Sequence, residues 1–241
     1  MVVFIRRTHL TLSALLLTAV AGMALILWQG SGSVSVLSAQ QVGSPSRVVV
    51  VDPGHGGEDG GAVAGDGTVE SGLNLQIAGR VDALLRFWGQ DTVMTRTEDV
   101  SIHSPEATTL RQKKASDLKN RVALVNGLEN AVLLSIHQNS LPGSPKTHGA
   151  QVFYNGVEPA PALAATVQER LNSSVNTGNG KTPKRISDSI YLTKNATAPA
   201  IIVECGFLSN SAETARLQEP GYQIRLASAI AAGYFSTEET S

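Results

Sequence analysis

The sequence predicts a single α/β domain: a mixed, mostly parallel β-sheet flanked by helices on both faces and preceded by an N-terminal hydrophobic helix. Three observations carry this. From Arg47 onward, short β-branched or apolar runs alternate with segments of helical periodicity, the pattern of layered α/β folds. The first run breaks into a long glycine-loaded loop, where a ligand can approach the backbone closely. At 241 residues, 42% of them apolar and 16% charged, the chain can bury one sizeable core, and no internal repeat marks a second domain.

Taken in order, the chain first presents Arg6 and Arg7, then residues 10–28, 19 positions without a charge, then a Gly/Ser-rich spacer. A secretory apolar region runs about 7 to 15 residues and a spanning helix needs about 18 or more. The length therefore favours an uncleaved membrane anchor over a signal peptide, with cleavage near Ala39 as the alternative. A buried core helix would show a polar face, and this stretch shows only scattered Thr, Ser and Gly. Positive charge ahead of the span directs the C-terminal domain to the outside of the cytoplasmic membrane. Residues 1–30 are read as signal peptide or anchor, 31–46 as linker, 47–236 as the folded domain and 237–241 as a tail.

Arg6 and Arg7 are the only charges before Arg47, so of 19 basic and 20 acidic side chains the domain keeps a small acidic excess. Nothing in that balance attracts nucleic acid. Cys205 is the only cysteine, which excludes an intramolecular disulfide and leaves stability to packing.

Within the domain, RVVVVD from Arg47 predicts a strand that breaks at Asp52 and Pro53 into the glycine-rich loop reaching Gly72. Residues 73–88 set Leu73, Ile77, Val81, Leu84 and Leu85 at helical spacing, and residues 91–95 predict the next strand. Residues 117–128 predict an amphipathic helix with Leu118, Val122 and Val125 on one face, and the apolar run 131–136 a central strand. Further strands are expected at 150–154, 189–192 and 200–204, with helices at 160–173 and 222–235. Residues 97–115 and 141–149 are polar and read as surface loops.

His55 follows the first strand among glycines and His137 ends the central one, and strand C-termini are where open α/β sheets build their sites. Glu70 lies where the loop meets a helix, so the helix dipole favours its carboxylate. Two imidazoles and a carboxylate with a fourth position open form a catalytic zinc set, which implies a hydrolase that attacks with water. Such chemistry needs a base, and Glu204 ends the apolar run 200–203. Any one of these residues alone would more often be structural. His9 flanks the anchor, while His103 and His148 lie in polar loops, so these three are expected to be solvated. Strand alternation points Cys205 away from Glu204, into the core.

The motifs V-D-P-G-H-G-G (51–57), Glu70, V-M-T-R (93–96), S-I-H-Q-N-S (135–140), G-A-Q-V-F-Y (149–154) and V-E-C-G-F-L-S-N (203–210) occur in that order along the chain. On these the chain resembles the zinc-dependent N-acetylmuramoyl-L-alanine amidases of the bacterial cell wall, amidase type 3, over roughly residues 48–235. The resemblance implies a mixed sheet flanked by helices, one zinc ion on His55, Glu70 and His137, and Glu204 as catalytic glutamate. It also implies cleavage of the amide between the muramic acid lactyl group and L-alanine of the stem peptide. Peptidoglycan is then the substrate, outside the cytoplasmic membrane, with membrane contact through the N-terminal segment. Ser140 stands where many members have alanine, a small change beside Asn139 that leaves ligation alone. The stretch between His137 and Glu204 is already filled by strands and a helix, leaving no room for the regulatory helix of some relatives. A single anchored domain without wall-binding repeats looks most like the spore-cortex, germination-specific subfamily. Arg96, Asn139, Lys184 and Arg185 are candidates for contacts to stem-peptide carboxylates or sugar oxygens, with solvated surface as the alternative reading. Rival functions are another zinc hydrolase of the wall, a carboxypeptidase or deacetylase, or a non-catalytic wall-binding module.

Overall fold

The computed structural model describes residues 47–238, so the expected anchor and linker fall outside the described residues. Six strands form one mixed sheet: β1 (Val48–Pro53), β2 (Thr92–Met94), β3 (Ala131–Asn139), β4 (Gln151–Tyr154), β5 (Lys184–Arg185) and β6 (Ala200–Phe207). Their order is β2-β1-β3-β6-β4-β5. All neighbours run parallel except β4 against β6. The helices are α1 (Glu70–Phe87), α2 (Leu110–Asn126), α3 (Ala160–Ser174), α4 (Tyr191–Asn195), α5 (Ser211–Gln218) and α6 (Pro220–Glu238).

Apolar alternation divides the core between the two faces. Val49 and Val51, Leu134 and Ile136, Ile201 and Val203 pack in one cluster with the buried sides of α1, α3 and α6. Val50, Leu133 and Ala200 point the other way, into a smaller cluster with Leu192 of α4 and the Val125 side of α2. Strands buried on both faces read as continuous apolar runs, which is why β1, β3 and β6 stand out in the sequence. Cys205 is fully buried in the larger cluster beside Val203, as alternation requires, and burial pushes its thiol up and away from reactivity.

Four elements depart from the sequence reading. Helix α2 begins at Leu110 rather than 117, inside the expected loop 97–115. Thr109 and Gln112 close a reciprocal capping box there, and the following turns are polar, so apolar periodicity misses them. Residues 189–192 form no strand; Tyr191 opens the short helix α4. The sheet edge is instead Lys184–Arg185, too short and too polar to show a strand period. Helix α5, capped by the Asn210 side chain, carries little apolar surface and is not foreseen.

Candidate metal centre

His55 follows β1 in the glycine-rich loop, Glu70 opens α1, His137 stands near the end of β3, and Glu204 lies within β6 rather than at its end. β1 and β3 run side by side with Asp52 opposite Ser135, so the chain leaves β1 beside the last turns of β3. Three residues past Asp52, His55 takes a positive φ of 62°, and the loop returns to open α1 with Glu70. His137 and Glu204 are register partners on β3 and β6, and neighbours in parallel strands face the same way. Immediately beyond His137 the β3–β6 register shifts.

The structure brings His55, Glu70 and His137 into one group whose potential ligand atoms all lie within 4.8 Å of one another. His137 Nδ1 is 3.0 Å and His55 Nε2 3.4 Å from the same Glu70 oxygen. A tetrahedral ion with bonds near 2.1 Å would set its ligand atoms about 3.4 Å apart, so this donor set fits one such ion. Two glycines make the close approach possible. A Cβ on Gly54 would lie 2.1 Å from the His137 ring, and one on Gly61 2.5 Å from Glu70 Oε2 and 2.8 Å from His55.

A further set of groups orients these three, and the sequence reading missed it. Asp59, four residues after His55, meets His55 Nδ1 at 3.0 Å. Glu70 accepts from the backbone N–H groups of Ala62 (2.8 Å) and Gln138 (3.1 Å) and from the Asn74 amide (3.2 Å). Second partners of this kind fix ligand orientation in metal sites. Burial alone would raise the Glu70 carboxyl, but the hydrogen bonds and charges of His137 and His55 outweigh it and hold the group ionised far below the usual carboxylate range. For His55, burial works against protonation and the nearby Glu70 and Asp59 carboxylates favour it; the carboxylates win, and its pKa rises.

Behind the ligands lies a buried charge network. Arg121 of α2 pairs with Asp52 and Asp117 and donates to the backbone carbonyls of Pro53 (2.9 Å) and His55 (2.7 Å). Thr95 and Ser135 each donate to Asp52 at 2.6 Å. The loop carrying His55 is thereby tied to three strands and a helix. An i, i+4 acid–base pair on α2 and an Asp at the end of an apolar strand were the available signals, but both look like ordinary surface charge in a sequence.

Glu204 is half-buried and faces the cluster, with Oε2 shielded from solvent and without a hydrogen-bond partner. Burial pushes its carboxyl up to about 7; the His137 and His55 charges oppose this and the Glu70 charge adds to it. Asn139 sits half-buried at the end of β3. Arg96 does not face substrate: it is buried, and its guanidinium donates to the carbonyls of Pro53, Gly54, Ser71 and Glu98. It is a brace under the glycine-rich loop. Lys184 and Arg185 are exposed, the solvated alternative of the sequence reading. They pair with Phe153 and Tyr154, and Tyr154 lies opposite Ile201, toward the start of β6 and away from Glu204. His148 is exposed and His103 half-buried. A cavity of about 630 Å³ lies between Ala64, Asp66, Ser140, Pro142 and Ser209; none of the four site residues lines it.

An open α/β sheet that gathers two histidines and a carboxylate beside its strands offers a site that could hold one metal ion, an arrangement found among hydrolases. Within that class, residues 49–235 match the N-acetylmuramoyl-L-alanine amidase family. The germination-specific N-acetylmuramoyl-L-alanine amidase of Bacillus subtilis is 40% identical over 189 residues, 78% of each chain. The solved CwlD amidase of Clostridioides difficile, in complex with the GerS lipoprotein, superposes with a TM-score of 0.77 at 34% identity, covering 81% of this chain and 100% of that one. An N-acetylmuramoyl-L-alanine amidase from Clostridium difficile 630 gives 0.70 at 29% identity, covering 82% and 100%. The chain belongs to the N-acetylmuramoyl-L-alanine amidase family.

Proposed function

We propose that this chain hydrolyses the amide bond between the lactyl group of N-acetylmuramic acid and L-alanine in bacterial peptidoglycan, outside the cytoplasmic membrane. In this reading one zinc ion is held by His55, Glu70 and His137, Glu204 is the catalytic base, and residues 47–236 form the catalytic domain. The observation that carries it is the convergence of three ligand atoms within 4.8 Å, with Glu204 the register neighbour of His137. Likeness to a germination-specific amidase supports a role in the spore cortex. The related amidase solved with a lipoprotein supports a protein partner for this chain as well.

When bound, zinc supplies a Lewis acid that acidifies water and polarises a carbonyl. Glu70 stays ionised and is fixed by Ala62, Gln138 and Asn74, so it enters the site as an anion already aimed. Glu204 takes the proton of the attacking water and returns it to the leaving amide nitrogen; it faces the cluster beside His137, with one oxygen free of any protein hydrogen bond. Asn139, at the end of β3, and the cavity lined by the adjoining Ser140 would receive the glycopeptide. Arg121 and Arg96 keep the His55 loop in place without touching substrate.

Product analysis of digested peptidoglycan tests the reaction. Mass spectrometry is expected to find free stem peptides with a new L-alanine amino terminus and intact muramic acid. Release of acetate, or of a C-terminal amino acid alone, would instead identify a deacetylase or a carboxypeptidase.

A further inference from the structure

At the far end of the domain from the metal centre, two large apolar side chains stand in succession on a rigid helix end. Phe87 is 80% exposed and Trp88 69%, while Leu85 on the same turn is fully buried. The end is closed by hydrogen bonds from Trp88 N to Leu84 O (3.2 Å) and from Gly89 N to Arg86 O (2.9 Å). Phe87 and Trp88 pack edge to face at 5.8 Å, and Trp88 meets Phe235 of α6 at 6.4 Å. Beside them runs a groove of about 810 Å³ between α1, α3 and α6, bounded by Leu84, Ala231 and Arg170. A contiguous aromatic patch of this kind marks a contact surface.

Where the chain joins the domain indicates what covers it. The Gln90 side chain, two residues past Trp88, donates to the carbonyl of Arg47 and accepts from Tyr234 Oη at 3.0 Å. Arg47, the first described residue, thus lies against Gln90 at this end of the domain, and in the sequence residues 29–46 separate it from the uncharged run 10–28. Trp prefers the boundary between headgroups and acyl chains, and Phe beside it adds apolar surface that inserts at that depth. We propose that Phe87, Trp88 and Phe235 rest in the interfacial layer of the lipid bilayer that the N-terminal run enters. The inference rests on the extracytoplasmic reading given above.

The consequence is an orientation. Helix α1 has 18 residues and runs from Glu70 to Phe87; at 1.5 Å per residue this separates the metal centre from the patch by about 25 Å. With the patch on the membrane, the centre faces away from it, toward the wall.

The sequence has two tryptophans, so Trp28→Phe in the full chain leaves Trp88 as sole reporter. Reconstituted into phosphatidylcholine–phosphatidylglycerol vesicles, Trp88 should lose about half its emission to acyl chains brominated near the headgroup and be shielded from aqueous acrylamide. The same reporter moved to exposed Ile224, near the start of α6 (Trp28→Phe, Trp88→Phe, Ile224→Trp), should stay open to acrylamide and untouched by bromine. Flotation with vesicles while Trp88 remains open to acrylamide would overturn the patch assignment alone. Shielding from acrylamide without bromine quenching would replace the bilayer by a protein surface, a second copy included, and so also overturn it. Failure to float would overturn both the patch and the anchor, whereas the amidase reading stands or falls on product analysis.

Discussion

A Cβ on Gly54 would lie 2.1 Å from the His137 ring, so the ring as placed requires glycine there. Gly54→Ala should therefore push the ring out of line and lower zinc content by about tenfold or more, as losing one ligand does, while circular dichroism stays that of the wild type. Full metal occupancy in that variant would show that the close approach is not needed for binding. The four residues on which the proposed chemistry rests stand out in the sequence because apolar runs stop at His137 and Glu204, while His55 follows β1 among glycines and Glu70 opens α1. Their supporting partners were not. Asp59, Asn74 and Gln138 act through contacts that sequence distance conceals, and Arg96 carries a charge whose burial only the folded loop reveals.

Among the elements, α2 shows what polar surfaces hide. Its buried side runs Asp117, Arg121, Val125, so two of its three inward positions are charged, and an apolar stripe gives only its second half. Its first turn depends on the Thr109 side chain accepting from Gln112 N at 3.3 Å and on the return bond from Thr109 N to the Gln112 side chain at 3.0 Å. Thr109→Ala should cost about 1 kcal/mol, which for a domain of this size lowers Tm by roughly 2–4 °C. Calorimetry checks it, and an unchanged Tm would mean that packing, not the cap, sets the start of α2. The strands and long helices that bury apolar stripes were read correctly from periodicity. The short polar pieces β5, α4 and α5 were not, because each is held by its neighbours and caps rather than by a pattern of its own.

On the scale of the whole molecule, the Asp52–Arg121–Asp117 network joins β1, the His55 loop and α2 into one unit. Burial would raise the Asp52 carboxyl, but Arg121 and the Ser135 and Thr95 hydroxyls overcome it and hold the group below its ordinary 3.8. A carboxyl with a lowered folded pKa stabilises the fold fully above its unfolded value and loses that contribution as pH falls toward the folded one. The Asp52 contribution to the urea midpoint should therefore be flat near neutrality and drop once pH falls below about 4. Arg121→Met, which strands two buried carboxylates, should cost about 3–5 kcal/mol at neutral pH. A midpoint equal to wild type at neutral pH would show that the network contributes no net stability.

The central claim is that Glu204 moves the proton while His55, Glu70 and His137 hold the metal. The most direct measurement compares zinc-loaded wild type with Glu204→Gln, following both zinc per chain and release of stem peptide from peptidoglycan. Zinc content should be unchanged and the rate lower by about 10²- to 10⁴-fold. A variant that keeps wild-type turnover, or that loses its zinc together with its activity, would contradict that claim.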